Sequence, residues 1–448
     1  MKKIVAILAM IAFVGGAAFA EITVSGAVIG TFNLLEGKSG EWKDPKDSTK
    51  FISADVNTSA DMDRIRLEAS GSNEEGTFGG WFRYDGGSFG YAWWKPIEQL
   101  QVRIGSNGYD GFNGKDGVTR WMFYQTPTDT GVTFGGDNAW GGSIYGLGVD
   151  FGGAFFGGYG GSNSLMIEIK PVEVFGINLS VPFANGKIDD AYKNINIQLD
   201  FNLAFGNIAL TYVGNQGRLG FSADDSALLF GAMMAQALDP TGWKEDYDED
   251  DLDKIESMEK AMEGGPSGLA SGSKIYAYFG MPINDQISFD LGVGYTLPVS
   301  GEKNSLFDGT YNAPVAIGAG FKFASDSFGL KARVGAFLGG KFTPAKGDAF
   351  EEPLKLLFDI VPFFPIGDNA TLFIAAGIGM QEAQTADKHG SKADAVFGWH
   401  LNPFIQIGEE WGPKFLAGIK LWSIDSEKDA KDKTYLKWAI PIAINVGF

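Results

Sequence analysis

The segment TYLKWAIPIAINVGF at positions 434–448 alternates between two kinds of side chain. One set is large and apolar, namely Leu436, Trp438, Ile440, Ile442, Ile444, Val446 and Phe448. The residues between them are small or polar, namely Lys437, Ala439, Pro441, Ala443, Asn445 and Gly447. Since successive side chains of a strand point to opposite faces, the pattern predicts a strand with lipid on one face and water on the other, as in a membrane-spanning barrel.

The same period of two recurs through most of the chain, with turn residues between the repeats. A clear copy is 194–203, where Ile, Leu and Phe alternate with Asn, Gln and Asp. The segments predicted as strands are 22–35, 60–71, 76–84, 89–95, 99–105, 162–170, 174–183, 193–204, 207–213, 273–283, 286–299, 313–323, 327–342, 353–364, 369–381, 396–407, 413–424 and 434–448. The stretch Ser143 to Gly161 either supplies two more strands or folds as a loop. The sequence therefore predicts an all-β fold, an antiparallel transmembrane barrel of about 18 strands with a range of about 16 to 20.

Short and long connections alternate between the predicted strands. The short turns are 205–207, 284–286, 324–327 and 366–369. The longer polar segments are 301–312, 343–352, 382–395 and 425–433. In outer-membrane barrels the short turns face the periplasm, the long loops face outside, and both chain ends are periplasmic. This arrangement requires an even number of strands.

The first 20 residues have the features of a secretory signal peptide. Lys2 and Lys3 precede the apolar run Ile4 to Val14, and Ala18-Phe19-Ala20 forms a cleavage site before Glu21. The alternative is an N-terminal membrane anchor, but a helix needs roughly 20 apolar residues to cross a ~30 Å hydrocarbon layer and this run has about 11. We therefore expect residues 21–448 to form the mature barrel in the bacterial outer membrane.

The composition argues against several classes of protein. The chain has 0 Cys, so disulfides, thiol chemistry and Cys-based metal sites are not available. A formal net charge of −19 argues against nucleic acid as a partner, because phosphates need a basic surface. Mean hydropathy is −0.04, and no segment offers about 18 consecutive apolar residues, so helices are not expected to cross a membrane. The sequence predicts no cofactor and no metal ion.

Residues 214–272 do not alternate. Ala227 to Leu238 is rich in helix formers and stops before a proline. A second helical spacing is formed by Leu252, Ile255, Met258 and Met262. The acids at 246–253 precede or open this helix, where they complement its N-terminus. We interpret 214–272 as an acidic, partly helical extracellular loop that either caps the pore mouth or reaches into it. Binding of Ca²⁺ or Mg²⁺ is the alternative to a solvated charged surface, but the EF-hand glycine and final glutamate are missing.

With these features the chain resembles the outer-membrane porins of Gram-negative bacteria. The last strand ends in Phe448, which is similar to the C-terminal signal that the barrel-assembly machinery recognises in that family. The resemblance implies a passive diffusion channel for small hydrophilic solutes and ions. It also implies outer-membrane lipid, the assembly machinery and small polar solutes as partners, and a homotrimer as the assembled form.

A second likeness lies in the segment 106–142. In general diffusion porins the third loop folds into the barrel, carries Phe-Gly-Gly-Asp and presents acids across the pore from a row of wall arginines. Phe134-Gly135-Gly136-Asp137 is similar here. The resemblance implies that Asp137 faces a wall row consisting of Arg64, Arg66, Arg83 and Arg103. Such a constriction would create a transverse field that sets ion preference.

The alternation of the arginine strands supports lumen positions without reference to the family. Ile65 and Leu67 alternate with Arg64 and Arg66, so an apolar face in lipid places the arginines in water, where a charge is tolerated. The alternative also stays open. In that interpretation the arginines are scattered lumen charges satisfied by neighbours, and the Phe-Gly-Gly-Asp match is accidental.

Other functions for a barrel are a substrate-specific channel, a surface adhesin using the acidic loop, and an outer-membrane enzyme. An enzyme of this kind needs a nucleophile, a base and an orienting group. The chain has 2 histidines, His389 and His400, in predicted loop and lumen positions. A fatty-acid channel or a siderophore receptor would need an N-terminal plug, whereas alternation here begins at Ile22. The sequence therefore favours a non-enzymatic porin.

Overall fold

In the computed structural model, the described residues are 21–44, 46–53, 56–85, 88–106, 163–182, 195–214, 218–219, single positions between 228 and 255, 270–271, 273–297, 299–300, 309–312, 315–344, 350–351, 354–382, 395–408, 413–424, 430–432 and 434–447. Several sequence predictions fall outside them. These include the signal peptide at 1–20, the loop residue Asp137 and the terminal Phe448. The stretch Ser143 to Gly161 also lies outside the described residues.

Eighteen antiparallel strands form the wall. They are β1 (Glu21–Lys38), β2 (Val56–Ser72), β3 (Phe78–Asp85), β4 (Ser88–Ile97), β5 (Leu100–Ser106), β6 (Asn163–Val172), β7 (Phe175–Pro182), β8 (Asn196–Leu203), β9 (Gly206–Val213), β10 (Lys274–Pro282), β11 (Ile287–Thr296), β12 (Val315–Ala324), β13 (Gly329–Leu338), β14 (Lys355–Ile366), β15 (Ala370–Gln381), β16 (Val396–Gly408), β17 (Lys414–Gly418 and Lys420–Ile424) and β18 (Lys437–Gly447). The two segments of β17 flank Ile419 and both lie between β16 and β18.

The wall closes on itself. Each strand pairs with the next along the chain, and β1 pairs with both β2 and β18. At the seam, Val28 is opposite Val446 and Phe32 is opposite Ile442. Because a closed ring leaves no unpaired edge, every wall strand has its backbone groups satisfied by two neighbours. The predicted fold class and the predicted count of about 18 strands are confirmed.

The two faces of the wall differ in exposure. On β18, Ile444 and Val446 are 41% and 51% exposed, whereas Ala439 and Ala443 are 0% exposed. On β16 the same alternation leaves Leu401 exposed and buries the neighbouring His400. The outward side chains are therefore predominantly apolar, whereas small and polar side chains recur on the inward face, which is the pattern of a barrel surrounded by lipid. Within the described ranges, no helix is both long enough and apolar enough to cross a membrane.

The connections alternate in length as predicted. The turns at one end of the barrel are short, namely 73–77, 98–99, 173–174, 204–205, 283–286, 325–328, 367–369 and 409–413. Asn side chains order two of these turns. Asn73 Oδ1 accepts hydrogen bonds from the backbone N–H groups of Thr77 and Phe78, at 2.8 and 3.0 Å. Asn284 Oδ1 likewise accepts hydrogen bonds from the backbone N–H groups of Gln286 and Ile287. The first residue of β1 and the last of β18 lie at this same end.

Short strands at the opposite end were not predicted from the sequence. Glu41–Asp44 and Asp47–Ser53 form a hairpin directly after β1. A separate four-stranded sheet consists of Val299–Ser300, Gly309–Asn312, Lys341–Pro344 and Phe350–Glu351. The prediction of one strand at 327–342 was therefore wrong in its length, because the wall strand ends at Leu338. Pairing among the connections satisfies backbone groups beyond the wall and needs no apolar alternation.

Part of the region 214–272 is helical, as predicted. The helical positions among the described residues are 228, 232, 234–236, 251–252 and 255. Ala232 and Ile255 are each 1% exposed and pack together, so the two helical stretches share a small core. Asp248 Oδ1 accepts a hydrogen bond of 2.8 Å from the Asp251 N–H, which makes Asp248 an N-cap. No group of three His, Cys, Asp or Glu side chains in the described part of the chain could hold a metal ion.

Gly105 occupies a wall position that other residues fit poorly. Its φ is 141°, and a Cβ there would lie 2.7 Å from Tyr91 Cα on the neighbouring strand. We expect Gly105→Ala to lower barrel stability by about 1 to 3 kcal/mol, because backbone must shift to relieve the strain. Gly80→Ala is the control, since its Cβ would meet only the Tyr91 carbonyl at 3.6 Å. Urea unfolding of the two folded barrels measures the difference, and equal midpoints would contradict this account.

Candidate pore wall

Several ionisable residues of the wall share one row of register positions. Asp290, Arg333, Asp359 and His400 belong to one cross-strand row, interrupted only by Gly320 and Gly377. Cross-strand partners share a face of the sheet, so this row faces the lumen. Asp359 and His400 are buried, and His400 Nε2 lies 3.6 Å from Asp359 Oδ1. Inward placement keeps the carboxyl groups of Asp290 and Asp359 out of lipid, where a charge would be costly.

The predicted arginines stand on the wall in the predicted order. Arg66 is on β2, Arg83 on β3 and Arg103 on β5, all at inward register positions. Arg64 is also on β2 and pairs with Ile29 of β1. The carboxylate of Glu68 lies between two of them, at 2.7 Å from Arg83 Nε and 3.5 Å from Arg66. The structure therefore brings Arg66 and Arg83 together around one acid.

Arg103 has a second acidic partner and an aromatic neighbour. Its guanidinium lies 2.7 Å from Glu168 on β6. It also lies 5.0 Å from the Tyr91 ring centroid, and Arg83 lies 4.9 Å from the Trp81 ring centroid. Contact with an aromatic face attracts a cation without neutralising it. This sector of the wall is thus a guanidinium–aromatic patch held by two carboxylates.

The ion pairs concern both interpretations of the arginines, either as a constriction facing Asp137 or as lumen charges satisfied by neighbours. Arg66, Arg83 and Arg103 have carboxylate neighbours on the wall itself, and neither Glu68 nor Glu168 was predicted as a partner from the sequence. Alternation could have identified both, because each shares the inward parity of the arginines and lies on the adjoining or the same strand. Asp137, the proposed opposing acid, lies outside the described residues.

An apolar cluster lines the inward face near the short turns. Phe404, Leu416 and Val361 are 2%, 0% and 4% exposed and pack with Ala375 and Ala443. Phe373 stacks on Phe404 with ring centroids 4.8 Å apart. Five consecutive strands, β14 to β18, contribute these side chains. Packing of this kind leaves little free volume between the side chains and stiffens this part of the wall.

A second group at the seam was not found from the sequence. Lys38 of β1 and Lys437 of β18 are direct cross-strand partners. Their ammonium groups lie 4.2 and 5.3 Å from the ring centroid of Trp42, which follows β1 in the hairpin. Trp42 is 3% exposed and meets Tyr435 edge-on at 4.9 Å. The contact of Trp42 with the two lysines could not be predicted from alternation, because Trp42 belongs to a short strand outside the wall.

A surface ion pair ties the two connections at this seam. Lys431 donates a hydrogen bond to the Glu41 carboxylate, and Trp42 forms an isolated backbone bridge with Ala430. This hydrogen bond raises the pKa of Lys431, although both groups are about half exposed. The contribution of the pair is present at neutral pH and is lost as pH rises through the raised pKa of Lys431. Exposure and salt keep that contribution small.

The wall and the rest of the chain carry opposite net charges. The eighteen strands contain 15 Lys and Arg against 10 Asp and Glu, a net charge of +5. The whole chain has 36 Lys and Arg against 55 Asp and Glu, a net charge of −19. The residues outside the strands therefore comprise 21 Lys and Arg against 45 Asp and Glu, a net charge of −24. The acidity of the protein therefore resides in its connections, and its wall is basic.

A closed antiparallel wall with an apolar exterior and a charged interior defines a barrel of the membrane-spanning class. Comparison with solved structures finds similar barrels at low identity. An anion-selective porin from Comamonas acidovorans is 10% identical, with 96% of this chain and 99% of that chain covered and a TM-score of 0.46. A BenF-like porin from Pseudomonas fluorescens is 9% identical, with 95% and 98% covered and a TM-score of 0.47.

A third similar structure is OpdL from Pseudomonas aeruginosa, which is 8% identical, with 95% and 98% covered and a TM-score of 0.46. No protein-family model matches the sequence, and no curated protein matches it. Because these TM-scores are below 0.5, the barrel assignment rests on the strand pairing of the chain itself.

Proposed function

We propose that the protein is an outer-membrane porin, a non-enzymatic channel through which small hydrophilic solutes and ions diffuse passively. The observation that carries the proposal is the closed ring of 18 strands with apolar side chains outside and charged ones inside. A water-filled lumen is the environment that such an inner face requires. Arg66, Arg83 and Arg103 are held in ion pairs with Glu68 and Glu168, and we assign none of these groups a catalytic role.

The proposal includes the path of the protein to the membrane. Residues 1–20 would direct export and be removed after Ala20, so that the mature chain begins at Glu21, the first residue of β1. The apolar exterior would contact outer-membrane lipid, and the assembly machinery would insert the barrel. The short turns would then face the periplasm and the acidic connections the outside. A homotrimer is the proposed assembled form.

We also propose that the arginine row lines the constriction. Arg66 and Arg83 lie on adjoining strands and Arg103 lies two strands further on, all at inward positions. With Arg64 they would face Asp137 across the lumen. The ion pairs with Glu68 and Glu168 hold the guanidinium groups against the wall, which is what a rigid selectivity element requires. The region 214–272 would cap the mouth on the opposite side of the membrane from the termini.

Planar bilayers test the channel function directly. The purified, heat-modifiable barrel is expected to add discrete conductance steps in KCl that scale with salt concentration, because ions pass through water rather than by a binding cycle. A heat-denatured sample at the same detergent concentration is the control. Absence of conductance steps from the folded barrel would count against a porin and favour an adhesin or another closed barrel.

A further inference from the structure

The wall holds the imidazole of His400 beside the carboxylate of Asp359. His400 Nε2 lies 3.6 Å from Asp359 Oδ1, and the two residues are 6% and 1% exposed. They belong to β16 and β14, which are separated by β15, so their backbones are about 10 Å apart. The β15 residue level with both is Gly377. Because glycine has no side chain, the carboxylate and the imidazole can meet across the intervening strand.

Basic residues predominate in this part of the wall. Asp359 is the only acidic residue in the strands β13 to β18, and β15 and β16 contain no Lys, Arg, Asp or Glu. The basic residues of these strands are Lys331, Arg333, Lys355, Lys414, Lys420 and Lys437. Arg333 is level with Asp359 on β13. On the other side, Trp422 of β17 is level with His400, and the Lys420 ammonium lies 4.8 Å from the Trp422 ring centroid.

Histidine is the side chain that ordinarily changes its charge in mildly acidic solution. Ordinary pKa values are about 6.5 for His, about 4 for Asp and Glu, and about 10.4 for Lys. The chain has 2 histidines, and His389 lies outside the described residues. The side chain of the described wall that is expected to gain a charge between about pH 7.5 and about pH 5.5 is therefore His400.

We propose that the His400–Asp359 pair is a proton-responsive switch of the ion preference of the pore. At mildly acidic pH the imidazole takes up a proton, and the Asp359 carboxylate stabilises the resulting cation. The wall then carries one more positive charge, which attracts chloride and repels potassium. At neutral and higher pH the imidazole is uncharged, and the preference for chloride is weaker. This inference rests on the proposed channel function.

Reversal potentials in a KCl gradient test the inference, at about 0.1 M salt where the screening length is about 10 Å. The ratio of chloride to potassium permeability of the wild-type pore should be at least about twofold higher at about pH 5.5 than at about pH 7.5. His400→Gln should give a ratio that is constant over this range, because glutamine carries no charge at either pH. The matched control is His389→Gln, the same substitution at the other histidine, which should retain the wild-type pH dependence.

Asp359→Asn distinguishes a coupled pair from an isolated histidine. This variant keeps His400 and removes the carboxylate that lies 3.6 Å from its imidazole. The midpoint of the pH-dependent change should move to lower pH, because a neutral amide does not stabilise the imidazolium by its charge. In the wild type the change should also weaken near 1 M KCl, where the screening length is about 3 Å. Heat-modifiability of every variant establishes that the barrel is folded.

The outcomes distinguish the two proposals. A folded wild-type barrel that forms no channel overturns the porin function and with it this inference. A wild-type channel whose permeability ratio does not change with pH over this range overturns the inference alone, and no variant is needed to show it. Wild-type pH dependence in His400→Gln, or its loss in His389→Gln, assigns the titration to another group and rejects the switch. A wild-type midpoint in Asp359→Asn rejects the role of the pair.

Discussion

Replacing Phe448 by alanine, or deleting it, is expected to reduce the amount of inserted barrel to a small fraction of the wild-type level. The reason lies in the position of this residue. Ile444 and Val446 of β18 are exposed on the outer face, opposite Gly30 and Val28 of β1. Phe448 is the next position of the same parity at the end of the chain. An aromatic ring there would sit at the membrane interface and be available to the assembly machinery.

The measurement compares heat-modifiable barrel in outer-membrane fractions. Phe415→Ala is the matched control, because Phe415 is an exposed aromatic on the outer face of β17, next to β18. Loss of general apolar area would affect both variants alike, whereas loss of an assembly signal would affect Phe448→Ala alone. Barrels of the Phe448 variant that do insert should conduct as the wild type does. Equal yields of the two variants would refute the role of Phe448.

The barrel could be predicted from the sequence because its wall obeys a single rule. A lipid face on one side and a lumen on the other impose a period of two on every strand, and the rule is visible in segments such as Asn196–Leu203 and Lys437–Gly447. The rule does not extend beyond the wall. The hairpin after β1 and the sheet that includes Lys341–Pro344 pair through backbone groups, so their side chains carry no comparable signal.

The pore wall was predictable only in part for a related reason. Alternation indicates which residues face the lumen, and Arg66, Arg83 and Arg103 lie at register positions of the inward parity. It does not show how side chains from different strands meet, since that depends on register and stagger. Glu168 reaches Arg103 because β5 and β6 pair directly across the long segment between them. Trp42 joins Lys38 and Lys437 only because the hairpin folds back over the seam.

The double variant Arg83→Ala, Arg103→Ala is expected to change the ion preference of the pore strongly towards cations. Each arginine now balances a carboxylate at 2.7 Å, so its removal deletes a positive charge and leaves Glu68 or Glu168 without that partner. A unit charge about 8 Å from a passing ion contributes about 2 kcal/mol at an effective dielectric constant near 20, before screening. Two such changes should shift the permeability ratio several-fold and widen the pore slightly.

Companion variants determine where the effect originates. Glu68→Gln with Glu168→Gln keeps the arginines and should shift the ratio towards anions, and Asp137→Asn should do the same if that acid faces the row. Lys50→Gln controls for charge outside the wall, because the Lys50 side chain is 72% exposed on the hairpin that follows β1. All of these shifts should weaken near 1 M KCl, where the screening length falls to about 3 Å. If the arginine and carboxylate variants both keep the wild-type reversal potential and conductance at low salt, the row does not line the constriction. The acidic segment 246–253 would then be the position at which to seek the selectivity of the pore.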